Sequence, residues 1–130
     1  MSEGKGTQSI IARKAYAFAL DIIKIYKQLT LEAKEYVLSK QLLRSGTSIG
    51  ANVNEAISSE SKRDFVHKLG IALKEARETS YWLNLLKDSS YINYDNFQIL
   101  HNNCLEIIRI LSSIILTTKE RYFKPGTAEK

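Results

Sequence analysis

The sequence predicts an all-α protein, an antiparallel up-down-up-down four-helix bundle, and three observations carry that prediction. The chain has 130 residues and a single proline, Pro125, so nearly all of it is free of the residue that most strongly breaks helices. Strand signals are missing, with no β-branched alternation and no Asn-Gly or Asp-Gly hairpin turn. Apolar residues recur at helical spacing in four segments, and the short polar joints between them favour antiparallel neighbours.

The first helix is expected from about Ser9 to Gln28, with Ile11, Ala15, Phe18, Ile22 and Ile25 on one stripe. The second is expected from near Leu31, with Thr30 as a possible N-cap, to about Ile57, on a stripe of Leu38, Leu42, Ile49, Val53 and Ala56. Gly46 and Gly50 each cost this helix about 1 kcal/mol relative to alanine. Two readings compete there: a break near residues 44–47, or small residues where another helix packs closely. The unbroken phase of Leu42, Ile49 and Val53 favours continuity. Residues 58–61 form the next joint, in which Ser61 and Asp64 have capping-box spacing. The third helix turns Phe65, Leu69, Ala72, Ala76 and Leu83 inward. After the turn-rich joint 88–93, the fourth does the same with Phe97, Leu100, Cys104, Ile108, Leu111 and Ile115. Residues 1–8 are polar and expected to be flexible, residues 9–123 form the bundle, and residues 124–130 are expected to be a loose tail.

Composition bounds the rest. A content of 44% hydrophobic and 25% charged residues fits one globular domain with its own core. Cys104 is alone and cannot form an internal disulfide, and no signal peptide is in view, so a cytoplasmic location is expected. No stretch approaches the roughly 20 apolar residues of a membrane span, so no membrane role is expected. The formal charge of +5 permits nucleic-acid binding without requiring it.

Two helices carry apolar residues away from their core stripes. On the third, Ile71, Trp82 and Leu85 lie beside Asp64, Glu75 and Glu78; on the first, Tyr16, Leu20 and Ile23 lie beside Arg13, Lys24 and Lys27. Single exposed apolar residues are normal, but two strips on two helices read as a subunit interface and predict a homo-oligomer. Opposite the core stripe of the third helix, Arg63, His67, Gly70, Lys74, Arg77 and Tyr81 share one strip. Its cations could hold phosphates while Tyr81 stacks on an unpaired base, with Arg13, Lys24 and Lys27 as further candidates. The plainer reading is a solvated face threaded by ion pairs such as Lys74 with Glu78 at i,i+4 spacing.

Catalytic and metal signals are weak. His67 reads as a surface residue, His101 as a core-edge one and Cys104 as a buried thiol, and none has a ligand partner at metal-site spacing. Glu75 and Glu78 lack a Glu-x-x-His companion and are expected to pair with arginine or lysine, in the chain or across a subunit boundary. The GTSIG segment lacks the lysine and spacing of a P-loop. A HEPN-type ribonuclease would place four to six residues between its Arg and His, and Arg63 and His67 have three between. No catalytic residue, metal or cofactor is therefore expected.

Two phrases, SIGANVNEA and DFVHKLGIALKEARETSYWL, resemble the small bacterial four-helix-bundle proteins called 23S rRNA intervening-sequence proteins. The matching residues are Arg44, Ser48, Ile49, Ala51, Asn52 and Glu55, then Phe65, Leu69, Ala72, Glu75, Glu78 and the Tyr81-Trp82-Leu83 run. The resemblance extends over roughly residues 10–120, departing at Gly50, where many members have proline. It implies a ring-like homopentamer without a catalytic residue set; some members are encoded inside insertions in 23S rRNA genes. A similar fold occurs in the accessory protein of diversity-generating retroelements, a basic barrel that binds nucleic acid and a reverse transcriptase. The expected function is a non-enzymatic oligomeric scaffold that binds nucleic acid, RNA favoured. The alternative is a scaffold that docks a partner protein.

Overall fold

A computed structural model describes the backbone of residues 2–123, with side chains at residue 6 and over residues 8–123. The tail expected over residues 124–130 lies outside the described residues. Four helices and no strand occur among the described residues: α1 (Ser2–Leu31), α2 (Leu38–Ile57), α3 (Lys62–Asp88) and α4 (Tyr94–Tyr122). Each helix packs on the next and α1 closes against α4, while the diagonal pairs α1–α3 and α2–α4 do not meet. The core sits on the bundle axis, where Ile11, Ala15, Phe18 and Ile22 of α1 meet Leu42, Ile49 and Val53 of α2. Leu69, Ala72, Ala76 and Leu83 of α3 and Leu100, Cys104, Ile107 and Leu111 of α4 complete it. Burying each large aliphatic or aromatic side chain contributes about 1.5–3 kcal/mol.

The second helix begins later than expected. α1 continues to Leu31, and Thr30 is no N-cap: its hydroxyl donates back to the Tyr26 carbonyl at 3.0 Å. Lys34 takes φ 57 in the joint that follows. Glu35 then caps α2, its carboxylate accepting the N–H groups of Val37, Leu38 and Ser39 at 3.1, 2.9 and 2.7 Å. Partial burial raises the pKa of Glu35, but those backbone bonds outweigh it and hold the group below its ordinary value. The misreading has a local cause, because good helix formers within residues 31–36 hide a turn set by the left-handed Lys34 and the Glu35 side chain.

α2 is continuous through both glycines. A Cβ at Gly46 would meet Ile22 Cγ1 at 2.9 Å, so α1 and α2 approach too closely there for a larger residue. At the neighbouring position, the buried hydroxyls of Ser45 and Thr79 hydrogen-bond at 3.0 Å and tie α2 to α3. Ser61 caps α3, accepting the Asp64 N–H at 3.0 Å, and Asn93 caps α4, accepting the Asn96 N–H at 2.8 Å.

α4 departs from expectation in two ways. Ile107 is buried, whereas Ile108 and Ile115 pack partly exposed on the flank of the core. By length and composition α4 is also apolar enough to cross a membrane, with mean hydropathy 1.4 over its most apolar window, contrary to the sequence reading. That reading looked for an unbroken run of apolar residues, and in α4 Glu106 and Arg109 interrupt the run without lowering the average enough. Only 22% of the window is buried in the bundle, so much apolar surface faces outward.

Candidate nucleic-acid interface

The outer strip of α3 follows from its helical spacing. Arg63, His67, Gly70, Lys74, Arg77 and Tyr81 are all exposed, because Phe65, Leu69, Ala72 and Ala76 commit the opposite side of the same helix to the core. Lys74 and Arg77 make no ion pair among the described residues; the carboxylates that would neutralise them are engaged elsewhere. Arg44 of α2 reaches across the helix pair, with Nη1 3.3 Å from Glu75 Oε1 and Nη2 in contact with Glu78 Oε2. Trp82 Nε1 donates to that same Glu78 oxygen at 3.0 Å. The expected pairing of Glu75 and Glu78 with an arginine is thus found within the chain. The i,i+4 pair of Lys74 with Glu78 is not formed. Arg63 differs from the other cations, its guanidinium lying 5.5 Å from the Phe123 ring centroid. Tyr81 is 59% exposed and meets Trp82 edge to face, with ring centroids 5.2 Å apart.

Arg13, Lys24 and Lys27 are exposed on α1, the helix diagonal to α3, so they do not extend the α3 strip within one chain. Helical periodicity assigns a residue to a face but cannot say which helices become neighbours. The candidate subunit contacts divide likewise. Tyr16 and Leu20 stand 67% and 52% exposed on α1, while Ile23 is half-buried. Ile71, Trp82 and Leu85 of α3 are also half-buried, and Trp82 packs against the core of its own chain. Sequence reasoning missed Ile99, Leu105 and Leu116, which are exposed on α4 at 61%, 42% and 59%. The hydropathy of that helix was the signal that could have found them.

The remaining reactive groups are held in place. Cys104 donates its thiol to the Ala76 carbonyl at 3.2 Å, and burial pushes its pKa up to about 12. His101 stacks on Phe97 with centroids 4.7 Å apart and has Nε2 2.9 Å from Ser80 Oγ. Burial, with the Lys87 charge behind it, lowers the pKa of His101. His67 is exposed on α3. No cluster of His, Cys, Asp and Glu that could hold a metal ion occurs among the described residues.

The family model for 23S rRNA-intervening sequence proteins matches residues 7–113, which span all four helices. The chain belongs to the 23S rRNA-intervening sequence protein family. A crystal structure of a protein of unknown function from the S23 ribosomal protein family of Bacteroides thetaiotaomicron is similar at 48% identity, with a TM-score of 0.83. The match covers 85% of this chain and 98% of that one. No curated protein matches. In this intervening-sequence family member Arg44, Glu75, Glu78 and Trp82 form one hydrogen-bonded group between α2 and α3.

Proposed function

We propose that the protein is a non-enzymatic scaffold that assembles as a homo-oligomer and binds nucleic acid through the outer strip of α3. The observation that carries this reading is the state of the charges: Lys74 and Arg77 stand exposed without an ion pair among the described residues, while Arg44 occupies the adjacent carboxylates. Cations in that state gain most from releasing the counterions of a phosphate backbone. RNA is preferred over DNA on the strength of the family name alone. The non-enzymatic reading rests on a buried thiol, a hydrogen-bonded His101 and the spacing of Arg63 and His67.

An antiparallel up-down-up-down order is supported by the helix contacts. Along α2 and α3 the partners run 44 with 75 and 78, then 55 with 68, and Lys14 of α1 pairs with Glu106 of α4. A closed ring suits the placement of the off-core apolar residues. α1 and α3 lie at opposite corners, so the α1 face of one subunit can meet the α3 face of the next head to tail. Five subunits is the number that the family resemblance implies, and five chains of +5 each carry +25. Action in the cytoplasm and away from membranes completes the proposal.

A second reading, a scaffold that docks a partner protein and has no nucleic-acid role, is favoured by the exposed Ile99, Leu105 and Leu116 of α4. Salt separates the two. The association constant for labelled RNA, read from filter retention, should fall linearly with salt on a log–log plot, with a slope of about −0.7 per phosphate contacted on a single strand. RNA retention that is indifferent to ionic strength would refute the phosphate reading.

A further inference from the structure

The α3 strip does not end at Arg63. Beyond it a cavity of about 250 Å³ opens between α3 and α4, lined by Arg63, Val66, Lys119 and Phe123. Its shape follows from the way α4 stops. The Phe123 N–H closes the last turn on the Lys119 carbonyl at 2.8 Å, and Phe123 itself turns out of helical geometry at φ −125, ψ 12. Two cation–aromatic contacts then pin this end of α4 to the start of α3: Lys62 Nζ is 4.8 Å from the Tyr122 ring centroid, and the Arg63 guanidinium is 5.5 Å from that of Phe123. Lys62, Arg63 and Lys119 remain exposed. Asp64 and Glu120, exposed on the same two helix ends, are not part of the lining.

The geometry points to a nucleobase pocket: an unpaired base of a single-stranded nucleic acid enters beside Phe123 and stacks on its ring or on the Arg63 plane, while Lys119 meets the adjoining phosphate. This inference rests on the reading of the α3 strip as a phosphate track. An aromatic face, a planar guanidinium and a second cation around one cavity are what a base and its phosphate require, and stacking tolerates any base. Continuity strengthens the assignment. Arg63 belongs to both the pocket and the strip, and the strip ends at the exposed Tyr81, about 27 Å further along the axis. Two stacking positions therefore bracket Lys74 and Arg77. A duplex cannot use them, because its bases are already paired and stacked.

The test compares a single-stranded uridine oligoribonucleotide with a blunt RNA duplex, both fluorescein-labelled, by anisotropy on the full-length protein. The wild type should prefer the single strand by roughly a hundredfold, in keeping with two stacked bases at about tenfold each. Phe123→Leu should cut that preference about tenfold, leaving the share that Tyr81 supplies, and leave duplex binding unchanged, whereas Phe123→Trp should restore it. A thiouridine-substituted strand should photocrosslink to the peptide containing Phe123. If Phe123→Leu keeps the wild-type ratio of single strand to duplex, the pocket is overturned while the strip stands. If the wild type binds neither nucleic acid, both fall together.

Discussion

A methyl group added at Gly46 would meet the body of Ile22, with Cγ1 at 2.9 Å and Cγ2 at 3.0 Å, whereas one added at Gly50 would rest 3.6 Å from Ala15 Cβ. The two glycines are indistinguishable by propensity and opposite by packing. Gly46→Ala should destabilise the protein by about 1–3 kcal/mol through overpacking. Gly50→Ala should be neutral or stabilising by up to about 1 kcal/mol, since only the helix preference changes. Thermal melts of the two variants check this, and a Gly46→Ala protein as stable as wild type would remove the close approach of α1 and α2. Glu35 gives a second prediction at this scale. Its folded pKa lies below the unfolded value, so its contribution is complete above the ordinary carboxylate range and is lost as pH falls through the depressed value. Glu35→Ala should cost about 1 kcal/mol at neutral pH, as loss of an N-cap does. In urea melts the gap from wild type should persist into mild acid and close only below the usual carboxylate pKa. A gap already closed at the ordinary value would contradict the capping assignment.

At the scale of elements, hydrophobic period was a reliable guide wherever packing agreed with it. The stripes of α1 and α3 are buried as read, from Ile11 to Ile25 and from Phe65 to Leu83. The α1–α2 boundary was hidden because residues 31–36 include good helix formers, and the turn is set by a left-handed Lys34 and the Glu35 side chain. Periodicity also could not order the helices around the axis, and the α1 cations offered as further candidates lie at the corner opposite the α3 strip. The same ordering decides how an interface should be probed. Trp82 packs on its own core, so replacing it would disturb the fold as well as any contact. Tyr16 and Leu20 are exposed in the single chain, and the double variant Tyr16→Asp, Leu20→Asp should fold and dissociate. Light scattering coupled to size exclusion reads the outcome: a multiple of 14.8 kDa for wild type and a smaller mass for the variant. A wild-type mass of one chain at micromolar concentration would end the oligomer proposal.

For the whole molecule, the exposure of the α3 strip was legible in the sequence and its ion pairing was not. The sequence placed Lys74 beside Glu78 as an ion pair, and the fold instead gives Glu78 to Arg44 and Trp82, leaving the lysine to solvent. That exchange depends on α2 lying next to α3, a fact of topology. Phe123 escaped notice for a similar reason, since its ring matters only because α4 ends beside Arg63. A ring of such subunits would repeat the α3 strip around one particle, so a single polyanion could engage several copies and gain avidity. The most direct test reverses the two cations of the strip, Lys74 and Arg77, that make no ion pair among the described residues. Lys74→Glu with Arg77→Glu, assayed by filter binding of RNA in low salt, should abolish retention while helical content, melting temperature and oligomer mass stay as in wild type. Retention by the double variant equal to that of wild type would contradict the assignment of the α3 strip as the nucleic-acid surface.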